Sequence, residues 1–499
     1  MLVAASVLLS TLSLAVLCPP ERLRVEYEAA PLGLDVKVPR FSWALCTDGT
    51  MTRGVVQAAY SLEVIDVNQN KTIWSSGTTV SNRSTNVRFG ATAQLPADGA
   101  YTWRVQWWSD TKAAPSPWSH AATFTTGLYA AADWKGAEWI TMATGKVSPD
   151  HVLLRSPAFK LPAGKTVQRA SAYIVGLGYY HLYLDGAKVS THLLGAFTTF
   201  EKRVLYDTWD ATDLLTATAS AEHVLAVEIG PGYYTQKTVN PNRVKLCRVR
   251  LSIKFTDGTD MDVTTSSSAA GGAGWVVAQG PITHTDIYDG EYVDMRLNDD
   301  TWKDITHSSS SVLKWQAADA AGPPENTTLV TSHAVLPKIG IRETYSPIAM
   351  YESAPGEYVY DFGQNMAGLV TFKIPAGVAG PESAGTTVSM LHAEAVHGPP
   401  PAKIYHHYGN TAELVNITLA GDGAAVDYTP KFTYMGFRCV CVCDKKAKRV
   451  VCPDHFSLPL SPPAQVRAAD GVPGRPNVRD DHRALLKHNV RSHWRHLIL

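Results

Sequence analysis

Helical periodicity is what this sequence most plainly lacks. From residue 20 to 443 no stretch repeats its apolar residues at the three-to-four spacing of an amphipathic helix, which excludes helical bundles and α/β barrels for that region. Net charge is also missing: 45 lysines and arginines balance 45 aspartates and glutamates, so no global field draws the chain to nucleic acid. There is no G-x-S-x-G, no P-loop, no G-x-G-x-x-G and no C-x-x-C, which removes the usual sequence signs of serine hydrolases, nucleotide-binding folds and thioredoxin-like redox proteins. Seven cysteines (18, 46, 247, 439, 441, 443, 452) are too few for a dense disulfide framework in 499 residues. Beyond the first 18 residues no run is long and apolar enough to span a bilayer.

What is present is strand alternation. In "YTWRVQWW", Tyr101, Trp103, Val105 and Trp107 fall on one face of a strand, with Thr102, Arg104 and Gln106 on the other. "YSLEV" (60–64) repeats the pattern, and turn clusters such as "SDTKAAPSPWS" (109–119) separate such runs at short intervals. The fold expected is all-β: tandem β-sandwich domains followed by a short basic tail. The divisions expected are a signal peptide over 1–18, an immunoglobulin- or fibronectin-like sandwich over 19–128, a jelly-roll-like domain over 129–325, a third sandwich over 326–445, and linker plus tail over 446–499. In the second domain Tyr180, Leu182 and Leu184 alternate into Asp185-Gly186, a hairpin turn signal. In the tail, Arg479, Arg483, Lys487, Arg491 and Arg495 recur every fourth residue beside Leu486, Val490, Trp494 and Leu497, the pattern of a basic amphipathic helix.

The opening run "MLVAASVLLSTLSLAVLC" is uncharged and apolar and reads as a secretory signal, with small residues Ser13 and Ala15 placed for cleavage near Val16, an uncleaved anchor being the competing reading by length. N-x-[ST] sequons at Asn70, Asn82, Asn326 and Asn416 agree with a secreted glycoprotein. "YDFGQNMAG" (360–368) contains the Asp-Phe-Gly triplet of protein kinases, but "HRALLKHN" (482–489) puts Ala484 where the catalytic aspartate belongs and follows the triplet instead of preceding it. The triplet is expected to be a structured entry into a strand. Asp361 and Asn365 would bond their own backbone, Gly363 and Gly368 would allow positive φ, and Phe362 would be core.

Several segments in order resemble the bacterial-type α-L-rhamnosidases. They are "LRVEYEAAPLGLDVKVPRFSWAL" (23–45), "WSSG" (74–77), "VGLGYYHLYLDGAKVSTHLL", "IGPGYY" (229–234), "YDGEYVDMR" (288–296), "YDFGQNMAGLVTFKI", "LHAEAV" and "PKFTYMGFR". The resemblance implies an N-terminal sandwich, a rhamnose-binding-like domain and a concanavalin-like domain from a family that removes terminal α-L-rhamnose with inversion. Inversion requires an acid and a base carboxylate about 6.5–9.5 Å apart. In the family both sit on an (α/α)₆ barrel with an acidic signature loop, and no segment here matches that loop, so no catalytic residue is assigned. The partners implied are rhamnose-containing glycosides or polysaccharides, with neither nucleic acid nor membrane beyond the signal segment. No cofactor is assigned: calcium, which some rhamnose-binding modules use, is put in doubt by Pro231, which stands where relatives carry Asn or Asp.

The sugar-binding residues expected are Asp185, Tyr233 and Tyr234, where exposed tyrosine would stack on a deoxy sugar and the hairpin aspartate would accept hydroxyl hydrogen bonds. Glu291 and Asp294 form a tempting acid pair, but three apart on one strand they point to opposite faces. His392, Glu394 and His397 in "HAEAVH" miss the H-E-x-x-H spacing, which leaves a polar strand face or a metal site. Cys439, Cys441 and Cys443 alternate on one strand face, and a disulfide from one of them to Cys452 is open beside metal binding. Three functions stay open: a rhamnosidase without its barrel, a secreted carbohydrate-binding or adhesion protein, or a gene-model fragment.

Overall fold

The structure is a computed structural model that describes residues 17–46, 55–110, 114–142, 149–217, 222–236, 243–267, 273–307, 312–324, 329–401, 403–405, 411–444 and 495–498. Among them the chain is almost wholly β, with a single α-helix, Thr212–Ala217, and a few short 3-10 turns.

In the first unit, Ala100–Trp108 pairs with Ala59–Asp66, bringing Val64 opposite Trp103 and Leu62 opposite Val105. Tyr101, Trp103, Val105 and Trp107 are all buried, as the alternation requires. A second sheet of Glu21–Val25, Arg40–Ala44 and Val87–Arg88 closes the sandwich, and the Phe41 ring lies 4.8 Å from that of Trp103. Cys18 is bonded to Cys46, and Trp107 Nε1 donates to the Cys18 carbonyl at 3.0 Å. Cys18 therefore packs with the first sandwich, which begins ahead of the expected boundary after residue 18.

The second unit stacks a six-stranded and a seven-stranded sheet, with a core that includes Leu154, Ile174, Leu182, Val227, Val249 and Trp275. Its hairpin joins Tyr179–Leu184 to Ala187–Lys188 through Asp185 and Gly186, both at positive φ (49° and 85°), as a tight two-residue turn demands. The division expected at 325 is not clean. Ile282–Asp286 and Gly290–Asp294 leave the second unit and join the third through parallel pairing with Leu414–Thr418. Leu329–Ser332 returns to pair in parallel with Arg203–Asp210 of the second. The two units thus exchange strands, which no local composition change records.

The third unit is a ten-stranded sheet around Glu357–Ile374, a strand of 18 residues. Its register shifts between Asp361 and Met366, so the Asp-Phe-Gly triplet is a bulge. Asp361 accepts from the Gly363 amide at 2.8 Å and takes a fork of hydrogen bonds from Arg438 at 2.9 and 2.8 Å. Gly363 has φ 83° and Phe362 is buried. Gly368 does not use the freedom a glycine allows: it lies in the ladder opposite Met435 without a positive φ.

The tail also departs from its helical pattern where it is described. Arg495–Ile498 is a strand lying antiparallel against 368–371 of the long strand. The remainder of the tail pattern lies outside the described residues.

Candidate functional site

An open cleft of about 720 Å³ lies where the second and third units meet. Tyr179 and the loop 194–198 form one wall, the 333–342 connection another, and Tyr233, Ala367 and Tyr434 complete it. The local sequence explains the shape. At Gly232 (φ 51°) a Cβ would come within 2.9 Å of the Tyr179 ring, and at Gly178 (φ 120°) one would overlap the Gly230 carbonyl at 2.0 Å. Only glycine lets the "GLGYY" and "GPGYY" turns close on each other.

The two tyrosines of "GPGYY" point different ways and sit in a turn, not on a strand. Tyr233 is half-buried and faces the cleft, with its ring 4.8 Å from Phe197 and 6.4 Å from Tyr179, and its hydroxyl 3.5 Å from that of Tyr434. Burial and the neighbouring Tyr434 both push its phenol pKa up, so it remains a neutral hydroxyl. Tyr234 is buried against Phe200 at 5.1 Å, with the Arg243 guanidinium 5.1 Å over its ring. Asp185 lies elsewhere. It caps the far end of the strand that starts at Tyr179, about 20 Å away at strand rise. Its carboxylate accepts from the Val224 amide at 2.7 Å and meets His223 Nδ1 at 2.7 Å. Thus Tyr233 lines the cleft, Tyr234 supports it from below, and Asp185 is committed to the hairpin.

The charges around the cleft are one-sided. Arg203, His333, Lys338 and Arg342 line it, and among the described residues no aspartate or glutamate does. Behind the wall, Asp207 accepts from Tyr180 at 2.6 Å and meets His333 at 2.8 Å and Lys338 at 3.6 Å. Burial pushes the Asp207 carboxyl up, but His333, His192 and Lys338 overcome this and hold it well below the usual range.

The other constellations are structural. Glu291 is fully buried and accepts from Tyr428 (2.6 Å), the Lys431 and Phe432 amides (2.7 and 3.0 Å) and Thr285 (3.1 Å). Asp294 pairs with Arg296 at 2.6 Å at the surface. His392 is buried, held by the Glu413 carbonyl at 2.9 Å, with its pKa pushed down to about 4 by burial. Cys439 and Cys441 are buried on the expected strand, and Cys452 lies outside the described residues. No cluster of three metal-ligating side chains occurs among the described residues. Asn70 and Asn82 are exposed, and Asn326 lies outside the described residues. Asn416 is a correction: it is buried on a central strand, accepting from Ser389 at 2.7 Å, and leaves no room for a glycan.

Sequence reasoning missed Glu228. It is fully buried and accepts from Tyr183 (2.6 Å) and Lys431 (2.8 Å), with His181 at 3.0 Å and His151 at 3.2 Å. The signal was available, since it is the one charge in the apolar run "LAVEIG".

Comparison with known families follows the same order along the chain. The profile of the "Rha78A-like, N-terminal immunoglobulin domain" matches 20–130. That of the "Alpha-L-rhamnosidase N-terminal domain" matches 165–336, and that of the "Bacterial alpha-L-rhamnosidase concanavalin-like domain" matches 351–456. The chain belongs to the α-L-rhamnosidase family. It is 28% identical over 457 residues to an α-L-rhamnosidase of Formosa agariphila, covering 84% of this chain and 45% of that one. It is 30% identical over 363 residues to one of Streptomyces avermitilis, covering 70% and 31%. The solved α-L-rhamnosidase of Dictyoglumus thermophilum superposes with TM-score 0.73 at 29% identity, over 85% of this chain and 46% of that one. The Streptomyces avermitilis enzyme complexed with L-rhamnose shares the fold at TM-score 0.70 and 22% identity, over 85% and 56%. The chain spans less than half the length of these curated relatives. The rhamnosidase N-terminal profile runs through both the 282–294 hairpin and Leu329–Ser332, the two segments that cross between units.

Proposed function

We propose that this chain is the sugar-contacting, non-hydrolytic portion of an α-L-rhamnosidase and acts outside the cell on rhamnose-containing glycosides or polysaccharides. The observation that carries this is the cleft, in which Tyr179, Phe197, Tyr233 and Tyr434 line an open volume whose walls, among the described residues, hold no carboxylate. Inverting hydrolysis needs two carboxylates about 6.5–9.5 Å apart, so this cleft has the means to hold a sugar but not to cleave one. Ring faces beside phenol hydroxyls suit the apolar and polar faces of a deoxy sugar. L-rhamnose is the first ligand to test, because the Streptomyces avermitilis relative was solved with it. The uncharged apolar start of the chain, the bond between Cys18 and Cys46 and the exposed sequons at Asn70 and Asn82 support an extracellular setting.

Isothermal titration of the chain from residue 17 with L-rhamnose is expected to show weak, saturable binding near the millimolar range, about 4 kcal/mol. Tyr233→Ala should abolish it, and an aryl α-L-rhamnoside should not be turned over. Absence of heat or chemical-shift change at tens of millimolar sugar would remove the binding half of the proposal. Turnover that persists through purification would remove the other half.

A further inference from the structure

We propose that the cleft recognises an anionic saccharide, one that carries a carboxylate or a sulfate ester, through Arg203 and Arg342. The inference rests on the reading of the cleft as a sugar site and adds the chemical class of its ligand. Among the described residues, four basic side chains line the cleft and no acidic one does. Two of them are already engaged. His333 meets Asp207 at 2.8 Å, and Lys338 lies 3.6 Å from the same carboxylate with its ammonium 3.8 Å from the centre of the Trp209 ring. Lys338 and Asp207 therefore cancel in charge, and the surplus falls on the two arginines.

Arg203 and Arg342 are both exposed, and neither is ion-paired with a carboxylate among the described residues. The contrast with nearby arginines is informative, since Arg243 is paired with Glu201 and Arg438 with Asp361. Arg203 begins the strand Arg203–Asp210, and Arg342 lies on the connection between the second and third units. Both reach the cleft that Tyr233 and Phe197 line with aromatic rings. A guanidinium presents a planar fork that matches two oxygens of a carboxylate or sulfate. A ring platform beside two uncompensated guanidinium groups has the composition of a site for a charged sugar, whereas a neutral deoxy sugar would leave both arginines without a partner.

The test titrates the chain with three probes at low ionic strength: methyl α-L-rhamnoside, its sulfate monoester and methyl β-D-glucuronide. Inorganic sulfate is the control. At least one anionic sugar is expected to bind on the order of tenfold tighter than the neutral glycoside, the worth of one charge-assisted contact. The carboxylate and sulfate arms show which source of charge the cleft takes. That preference should disappear in the Arg203→Ala/Arg342→Ala variant, whereas Tyr233→Ala weakens all three probes. Thermal melts confirm that the variants fold. Equal binding of neutral and anionic sugars, unchanged in the arginine variant, overturns this inference and leaves the sugar site standing. Binding of none of the probes overturns both. Inorganic sulfate binding as tightly as the sulfated sugar also overturns it, because the cleft would then be a simple ion site.

Discussion

Replacing Lys431 with methionine should loosen the third unit from the second. Lys431 comes from the "PKFTYMGF" turn of the third unit, and its ammonium lies 2.8 Å from Glu228 of the second. Glu228 is 0% exposed, whereas the Lys431 side chain is 35% exposed. Burial pushes the Glu228 carboxyl up, but Lys431, His151 and His181 hold it well below its ordinary range, so it stays ionised. Burial pushes both histidines down, so they stay neutral and Lys431 is the cation of the group. Removing one partner of a buried pair costs about 3–5 kcal/mol. Water can reach the site past the half-exposed lysine, which places the cost near the lower end, about 3 kcal/mol. Urea unfolding followed by tryptophan fluorescence, with limited proteolysis of the 333–345 connection, should show the third unit releasing first. Adding Glu228→Gln should recover most of the loss, because the neutral amide oxygen can still accept from Tyr183 at no charge penalty. A Lys431→Met variant that loses less than about 1 kcal/mol, or a double variant as weak as the single, would refute the assignment of this pair as the lock.

Three further outcomes are expected. Gly230→Ala should destabilise the same seam by about 1–3 kcal/mol, because a Cβ there would lie 2.1 Å from the Phe432 ring, and denaturant midpoints will show it. Asp98→Ala should free the first sandwich and cost about 3–5 kcal/mol, since Asp98 holds Arg169 at 2.9 Å, Tyr173 at 2.8 Å, Ser252 at 2.6 Å and Arg250 at 3.3 Å. Domain-resolved calorimetry checks it. Burial, then the charge of Glu394, raises the half-buried Glu413 to about 7 from 4.5. The unfolded chain therefore releases this proton first, and stability falls as pH rises from 4.5 to 7. Screening trims the effect to about 1–2 kcal/mol, which Glu413→Gln should remove when unfolding is compared at pH 5 and pH 8.

Strands that fold against their own neighbours were legible in the sequence. Trp103 and Val105 alternate, and Asp185-Gly186 sits between paired runs, because side-chain period and turn chemistry are local properties. The exchange of strands between the second and third units was not legible. Gly290–Asp294 looks like any short strand, and its parallel partner, Leu414–Thr418, lies more than a hundred residues away. The candidate site was half legible for the same reason. Adjacent tyrosines after a glycine turn marked one of Tyr233 and Tyr234 as facing outward without saying which, and nothing local reveals that Phe197, Arg342 and Tyr434 converge on Tyr233. Asp185 misled because a hairpin aspartate is as useful to its own backbone as to a sugar, and here the Val224 amide takes it.

The segments that carry the family resemblance converge in space in a way that changes what they mean. Glu291 of "YDGEYVDMR" accepts from the Lys431 and Phe432 amides of "PKFTYMGFR", and Phe432 packs on Gly230 of "IGPGYY". The Phe432 ring also lies 5.3 Å from His151 and 5.7 Å from His181, and Lys431 reaches back to Glu228, two residues before Gly230. Three signatures drawn from separate stretches are therefore the parts of one buried joint. A joint of this kind constrains sequence tightly: Glu291 has four donors to satisfy, a Cβ at position 230 would strike Phe432, and Glu228 needs a cation. Tyr233 on the cleft wall is held by ring contacts with Phe197 and Tyr179 and by the Tyr434 hydroxyl, and not by a buried ion pair. The easily recognised residues thus report how the sandwiches are locked together, whereas the proposed ligand preference would rest on less distinctive positions such as Phe197, Arg203 and Arg342. Substitutions at the joint should therefore lower stability and sugar affinity together, whereas those on the cleft wall should change affinity alone.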